Sequence, residues 1–250
     1  MSVVHLPFVS WGDPLAPRQA LLVHGLGSDA QTMWRLGEHL ANAGWHAIAV
    51  DQRGHGSAPR TTTYRIDDFA NDLLAVPRSR PWNLVIGHSI GGANIVRASA
   101  IEPTWAESLV LIDPALATTA KDRAEISSRQ VDNHRNMNVE RQTALNPHWH
   151  ALDIELSVNA QRSASEFALV RSVDDNPDWD VLADASALAV PTLVIQGDPQ
   201  VMARYTDEHA EILESANSLI RRVTVAGAGH NVHRDSPAAV LAALDEWLRF

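Results

Sequence analysis

The chain of 250 residues contains no cysteine, which excludes disulfides and thiol chemistry. No apolar run approaches the length that crosses a membrane. The N-terminus has no basic region followed by an apolar core, so we expect no signal peptide and a cytoplasmic protein. The formal net charge of −10 argues against nucleic acid and anionic membranes as partners. We therefore expect neither nucleic acid nor a membrane as partner.

Strand-like and helix-like segments alternate along most of the chain, which predicts βαβ units and a mostly parallel sheet. A hydrophobic fraction of 45% is sufficient for one α/β domain of this length. Residues 1–18 hold only one or two short strands at the edge of the sheet. The predicted strands are 19–23, 45–50, 82–87, 107–112, 191–196 and 221–226, and the predicted helices between or after them are 31–43, 66–76, 90–101, 206–216 and 236–249.

The segment 115–189 interrupts this alternation, because it contains no strand-like run. We predict that 1–114 and 190–250 form the core and that 115–189 is a helical insertion. Its predicted helices are 118–135, 139–145, 153–172 and 178–188.

The most informative stretch is Gly87-His88-Ser89-Ile90-Gly91, which lies between a predicted strand and a predicted helix. This arrangement matches the G-x-S-x-G turn that holds a nucleophilic serine. Glycines on both sides leave room for a sharp turn. The following helix begins beside the serine, so its N–H groups point at developing negative charge.

Other pieces of a serine-hydrolase site follow in the expected order of serine, acid and histidine. Asp198 follows the strand 191–196 directly after Gly197, and His230 follows the strand 221–226 on a Gly-Ala-Gly loop. Upstream, the strand 19–23 leads into His24-Gly25-Leu26-Gly27, a loop that can supply a second N–H to an oxyanion.

With these motifs, and with the loop 51–57 and the strand 109–112, the chain resembles the α/β-hydrolase superfamily over essentially its whole length. The resemblance implies a twisted, mostly parallel sheet flanked by helices, with a helical lid inserted after the sixth strand. It also implies Ser89 as nucleophile and His230 as general base. The implied oxyanion donors are the backbone N–H groups of Leu26 and Ile90, and the side chains expected to line the pocket are His88, Trp149 and Trp179.

Two assignments have alternatives. His233 is the rival of His230 for the base. Asp198 is the preferred acid, although the common family pattern places the acid three residues after the glycine, where this chain has Gln200. The alternative acid is Asp113. Its other interpretation is a helix cap or an anchor of the lid. Pro114 follows it and favours an extended backbone at position 113.

A serine at position 89 predicts an acyl-enzyme, unlike the aspartate of haloalkane dehalogenases and epoxide hydrolases. The expected substrates are small-to-medium apolar carboxylic esters, lactones included, in an apolar pocket under the lid. The alternatives are a C–C bond hydrolase or perhydrolase with the same triad, and a non-catalytic ligand-binding receptor. The histidine pairs lack zinc-site spacing and the Gly25 loop lacks a dinucleotide fingerprint, so we expect no metal and no cofactor.

Overall fold

The computed structural model describes residues 3–249; Met1 and Ser2, which begin the N-terminal run discussed above, and Phe250 lie outside this range. Seven strands form one sheet in the order β1-β3-β2-β4-β5-β6-β7. β1 is antiparallel to β3, and the other neighbours are parallel. The strands are β1 Phe8–Trp11, β2 Arg18–Val23, β3 Trp45–Val50, β4 Leu84–His88, β5 Leu109–Ile112, β6 Thr192–Gln196 and β7 Ile220–Thr224.

Eleven α-helices of the described chain surround the sheet, and the ends of the six predicted strands lie within two residues of the observed ones. A 3₁₀ turn, Ala30–Met33, precedes the first helix. The helices are α1 Trp34–Asn42, α2 Ile66–Leu74, α3 Ile90–Ile101, α4 Ala120–Asn136, α5 Val139–Leu145, α6 Ala151–Ser163, α7 Glu166–Asp174, α8 Leu182–Ser186, α9 Asp207–Ala216, α10 Val232–Asp235 and α11 Pro237–Trp247.

Two apolar layers cover the two faces of the sheet. Alternate side chains of a strand point to opposite faces, so Leu21 of β2 belongs to the layer that includes residues of α2, α3 and α9, whereas Leu22 belongs to the layer that includes residues of α1 and α11. The central strands are buried on both faces, as expected for a parallel sheet. The predicted α/β-hydrolase fold is therefore confirmed.

The helices α4 to α8 form an insertion between β5 and β6. It follows the fifth strand rather than the sixth, because the N-terminal region contributes a single strand. The predicted helix 153–172 is two helices, α6 and α7, since the backbone at Ala164 and Ser165 is extended. The predicted helix 178–188 is reduced to α8. Within the described residues, no helix is both long and apolar enough to cross a membrane.

Close backbone approaches explain the glycines of the turn between β4 and α3. A Cβ atom on Gly87 would lie 2.7 Å from backbone atoms of Gly91. A Cβ atom on Gly91 would lie 2.5 Å from the carbonyl oxygens of Val23 and His24. The start of α3 is thus packed directly against the end of β2, which brings Ser89 next to the loop that follows β2.

This contact makes a prediction about Gly91→Ala. In an unobstructed helix the change would stabilise the fold by about 0.5–1 kcal/mol. Here the collision with β2 should instead lower the free energy of unfolding by about 1–3 kcal/mol, which urea denaturation measures. Ala100→Gly, at an exposed position of α3, is the control and should show only the ordinary glycine penalty. A stabilised Gly91→Ala protein would contradict the close approach.

Candidate active site

Ser89 stands between β4 and α3 with φ 56° and ψ −120°, a backbone conformation that residues other than glycine rarely adopt. The surrounding structure holds it there. Its N–H donates to the carbonyl oxygen of Ile112 at 3.1 Å, and its carbonyl oxygen accepts from the N–H of Ala115 at 3.1 Å. Backbone strain that is maintained in this way is common at functional sites.

His230 connects the serine to a carboxylate. Its Nε2 lies 3.0 Å from Oγ of Ser89, and its Nδ1 lies 2.6 Å from Oδ2 of Asp113. A carboxylate accepts, so Nδ1 carries the proton toward Asp113 and Nε2 is free to accept the proton of the serine hydroxyl. The three side chains therefore have the geometry of a nucleophile, a base and an orienting acid.

Asp113 is completely buried and follows β5. Besides His230, its carboxylate accepts hydrogen bonds from the backbone N–H groups of Gly197 (3.2 Å), Arg204 (2.8 Å) and Tyr205 (3.4 Å). Its φ of 39° differs from the extended backbone expected ahead of Pro114. Aspartate tolerates this region better than most residues, so proline does not keep the side chain from His230.

The structure corrects the preferred assignment of the acid. Asp198 does not contact His230; its Oδ2 accepts from the N–H of Gly227 at 2.8 Å and its Oδ1 from the N–H of Gln200 at 2.9 Å. These two hydrogen bonds lower the pKa of Asp198, and the one from Gly227 has the larger effect. Asp198 stands directly after the glycine that ends β6, and its short side chain closes the local turn instead of reaching the histidine.

The loop after β2 borders the serine and is held by two buried histidines. Nε2 of His55 accepts from the N–H of Gly27 at 3.2 Å, and His24 donates from Nδ1 to the carbonyl oxygen of Gly25 at 2.7 Å. Burial, and to a smaller extent the charge of His55, lowers the pKa of His24 to about 3. Burial also lowers the pKa of His55. Both rings are therefore neutral at pH 7 and shape the loop.

The predicted oxyanion donors stand on the two segments that meet at the serine. Leu26 belongs to the loop after β2, and Ile90 is the first residue of α3; both line the pocket with Ser89. The first N–H groups of a helix have no partner within the helix, so that of Ile90 is available to an oxygen atom. Their role in catalysis stays a prediction.

His233, the rival base, forms no hydrogen bond with Ser89, whose hydroxyl is paired with His230. Its ring packs on that of His88, with centroids 4.6 Å apart, and His88 donates from Nε2 to the carbonyl oxygen of His230 at 3.0 Å. Neither ring nitrogen of His233 has a hydrogen-bond partner among the described residues. Burial, followed by the charge of Arg234, holds the pKa of His233 well below its ordinary value.

A cavity of about 230 Å³ opens over the serine, roofed by the insertion. The three predicted pocket residues line it: His88, Trp149 and Trp179. The indole N–H of Trp149 donates to Asp235 at 2.6 Å, and that of Trp179 donates to the carbonyl oxygen of Ala115 at 2.8 Å. Apolar surface forms somewhat more than half of the lining, and arginine, asparagine and glutamine residues of the insertion and of the core also border the cavity.

No group of three or more histidine, aspartate or glutamate side chains in residues 3–249 has an arrangement that could hold a metal ion. Two acidic side chains around the site already hold hydrogen bonds, Asp113 with His230 and Asp235 with Trp149.

Comparison with known proteins agrees with this architecture. Residues 20–244 match the model of the alpha/beta hydrolase family. The chain belongs to this family. It is 36% identical to 2-(acetamidomethylene)succinate hydrolase of Mesorhizobium japonicum over 110 residues, which cover 42% of this chain and 39% of that protein. Esterase YbfF of Escherichia coli K12 is 27% identical over 250 residues, covering 91% and 92% of the two chains.

Among solved structures, that of E-2-(acetamidomethylene)succinate hydrolase superposes with a TM-score of 0.84 at 21% sequence identity. The match covers 99% of this chain and 96% of that one. At this identity the likeness concerns the fold.

The burial of His233 predicts a pH dependence of stability. Its pKa in the folded protein lies below the value of about 6.5 in the unfolded chain, so the unfolded state binds the proton more readily. The contribution of the neutral His233 to the free energy of unfolding is fully present above pH 6.5. It is lost as the pH falls below that value, by up to about 1.4 kcal/mol per pH unit for one histidine.

We expect His233→Leu to reduce this loss between pH 6.5 and pH 5, as measured by urea denaturation at several pH values. At pH 8 the histidine is neutral in both states, so any difference found there reports packing alone. An unchanged slope would contradict the neutral, buried state of this side chain.

Proposed function

We propose that the protein is a serine hydrolase that cleaves small-to-medium carboxylic esters, lactones included, through an acyl-enzyme on Ser89. The observation that carries this proposal is the unbroken chain of hydrogen bonds from Oγ of Ser89 through His230 to Asp113 at the floor of the cavity. The cavity of about 230 Å³ over Ser89 accommodates a small-to-medium ester.

In the proposed mechanism, Nε2 of His230 removes the hydroxyl proton of Ser89 as Oγ attacks the ester carbonyl. The carbonyl oxygen becomes negatively charged and is stabilised by the N–H groups of Leu26 and Ile90. Asp113 fixes the tautomer of His230 and stabilises its imidazolium without taking the proton. The imidazolium then protonates the departing alcohol, and water activated by the same histidine releases the acid from Ser89.

The relatives support this chemistry at the level of the reaction class. One of them is an esterase that matches almost the whole chain, and another is named as a hydrolase of an acetamidomethylene succinate. A non-catalytic receptor on this fold would not need the strained serine or the histidine within 3.0 Å of it, so we prefer the enzyme.

Labelling and turnover test the proposal together. A fluorophosphonate should label the protein, and p-nitrophenyl acetate or butyrate should be hydrolysed. Ser89→Ala should abolish labelling and lower kcat by roughly 10⁶-fold, because the nucleophile is lost. Ser215→Ala, at an exposed position of α9, is the control and should behave as the parent protein. A folded parent protein that is neither labelled nor active would favour the non-catalytic receptor. Labelling that persists in Ser89→Ala would show that another residue is the nucleophile.

A further inference from the structure

The charge of the pocket is opposite to that of the chain. Acidic residues outnumber lysine and arginine by 30 to 20 in the sequence. The described residues that line the cavity over Ser89 nevertheless include three arginines and neither aspartate nor glutamate. A concave site lined by charge of one sign attracts ligands of the opposite sign. The three residues are Arg129, Arg204 and Arg234.

Arg129 faces the pocket from the insertion. It belongs to the stripe Ile126, Arg129, Gln130 and Asn133 of α4, whose spacing of three and four residues defines one face of a helix, and all four line the cavity. The side chain of Arg129 makes no hydrogen bond or ion pair with any described residue. Its guanidinium group thus retains its donors on the side that a substrate would occupy.

Burial and the positive charge of Arg204 affect the guanidinium group of Arg129 more than any negative charge does. The residue as a whole is solvent-exposed, yet its guanidinium group lies far enough inside that burial, followed by the charge of Arg204, lowers its pKa. Glu125, one turn earlier, has the smallest influence and lies 3.9 Å from Lys121. Two neighbouring positive charges favour an anion between them.

Arg204 enters the pocket from the loop between β6 and α9. Its backbone N–H donates to Asp113, so the same residue that holds the triad acid carries a side chain into the cavity. That side chain is 18% exposed, and its one ion pair within the described chain is a long one, 3.8 Å to Asp122. Such a distance leaves N–H groups of the guanidinium able to form shorter hydrogen bonds.

Arg234 adds a fixed positive charge beneath the pocket. It is 7% exposed, donates to Oγ of Ser28 at 3.1 Å, and packs with its guanidinium carbon 5.2 Å from the centre of the Trp149 ring. No described carboxylate lies within ion-pair distance of it, and its Nε has no partner in that part of the chain. The charge is therefore compensated only at longer range, by the carboxylates of Asp153, Asp29 and Asp235.

We propose that the substrate carries a carboxylate besides its scissile ester, and that Arg129 and Arg204 bind this carboxylate. The planar fork of a guanidinium matches the two oxygens of a carboxylate. Six asparagine and glutamine side chains in the lining supply further hydrogen bonds, and the cavity of about 230 Å³ suits a short monoester of a dicarboxylic acid. This inference rests on the proposed function and narrows its carboxylic esters to those that carry a second, acidic group.

Binding to an inactive protein tests recognition separately from catalysis. In the Ser89→Ala background, calorimetry should detect succinate or glutarate and should find succinamide at least tenfold weaker, because the amide lacks the charge. Arg129→Gln and Arg204→Gln should each weaken dicarboxylate binding by at least tenfold. Lys121→Gln, on α4 but outside the pocket, removes the same charge and should have no effect.

Equal binding of dicarboxylate and diamide would overturn the proposal, as would arginine variants with the affinity of the lysine control. Binding of inorganic phosphate without binding of either dicarboxylate would also overturn it, since the site would then recognise a different anion. The urea midpoints of the variants show that they are folded.

Turnover distinguishes failure of the inference from failure of the proposed function. With Ser89 present, kcat/KM for monomethyl succinate should exceed that for its neutral counterpart methyl succinamate, and each arginine variant should reduce this ratio by about tenfold. Hydrolysis of both esters at equal rates would refute carboxylate recognition and leave the hydrolase intact. Selective succinate binding without cleavage of either ester would refute the hydrolase and leave recognition intact.

Discussion

The hydrogen bond of 2.6 Å between Asp113 and His230 is the interaction on which the rest of the site depends. A fully buried carboxylate is costly unless donors surround it, and here three backbone N–H groups and the imidazole do so. These donors come from the loops after β6 and β7, so the carboxylate ties both loops to the end of β5. The same hydrogen bond fixes the tautomer of His230 that leaves Nε2 directed at Ser89.

Parallel strands explain why these groups meet. The loops after β2, β4, β5, β6 and β7 all leave the same edge of the sheet, where the glycine contacts between α3 and β2 allow the serine turn to fit. Arg204 connects this edge to the pocket, because its N–H donates to Asp113 and the same residue lines the cavity. In our account the buried negative charge orients the reacting groups and the arginines above it select the substrate.

The sequence was sufficient for the fold and for bringing Ser89 and His230 to one site, since both follow strands in motifs with defined geometry. It did not distinguish the acids, because both end strands at the same edge. The choice depends on a positive φ at Asp113 and on a turn that Asp198 closes with Gly227, and neither is readable from residue spacing. Gln200 at the usual acid position was the available signal. Likewise, the periodicity of α4 defines a face with Arg129 on it, but only tertiary packing directs that face to the cavity.

Comparison of the turnover numbers of Asp113→Asn and Asp198→Asn shows which carboxylate orients His230. An asparagine at position 113 keeps the shape of the side chain but no longer holds His230 in the required tautomer. We predict a fall in kcat of about 10⁴-fold for Asp113→Asn and a change of no more than about tenfold for Asp198→Asn. Urea denaturation should show that both variants are folded. A crippled Asp198→Asn enzyme beside an active Asp113→Asn enzyme would contradict the account.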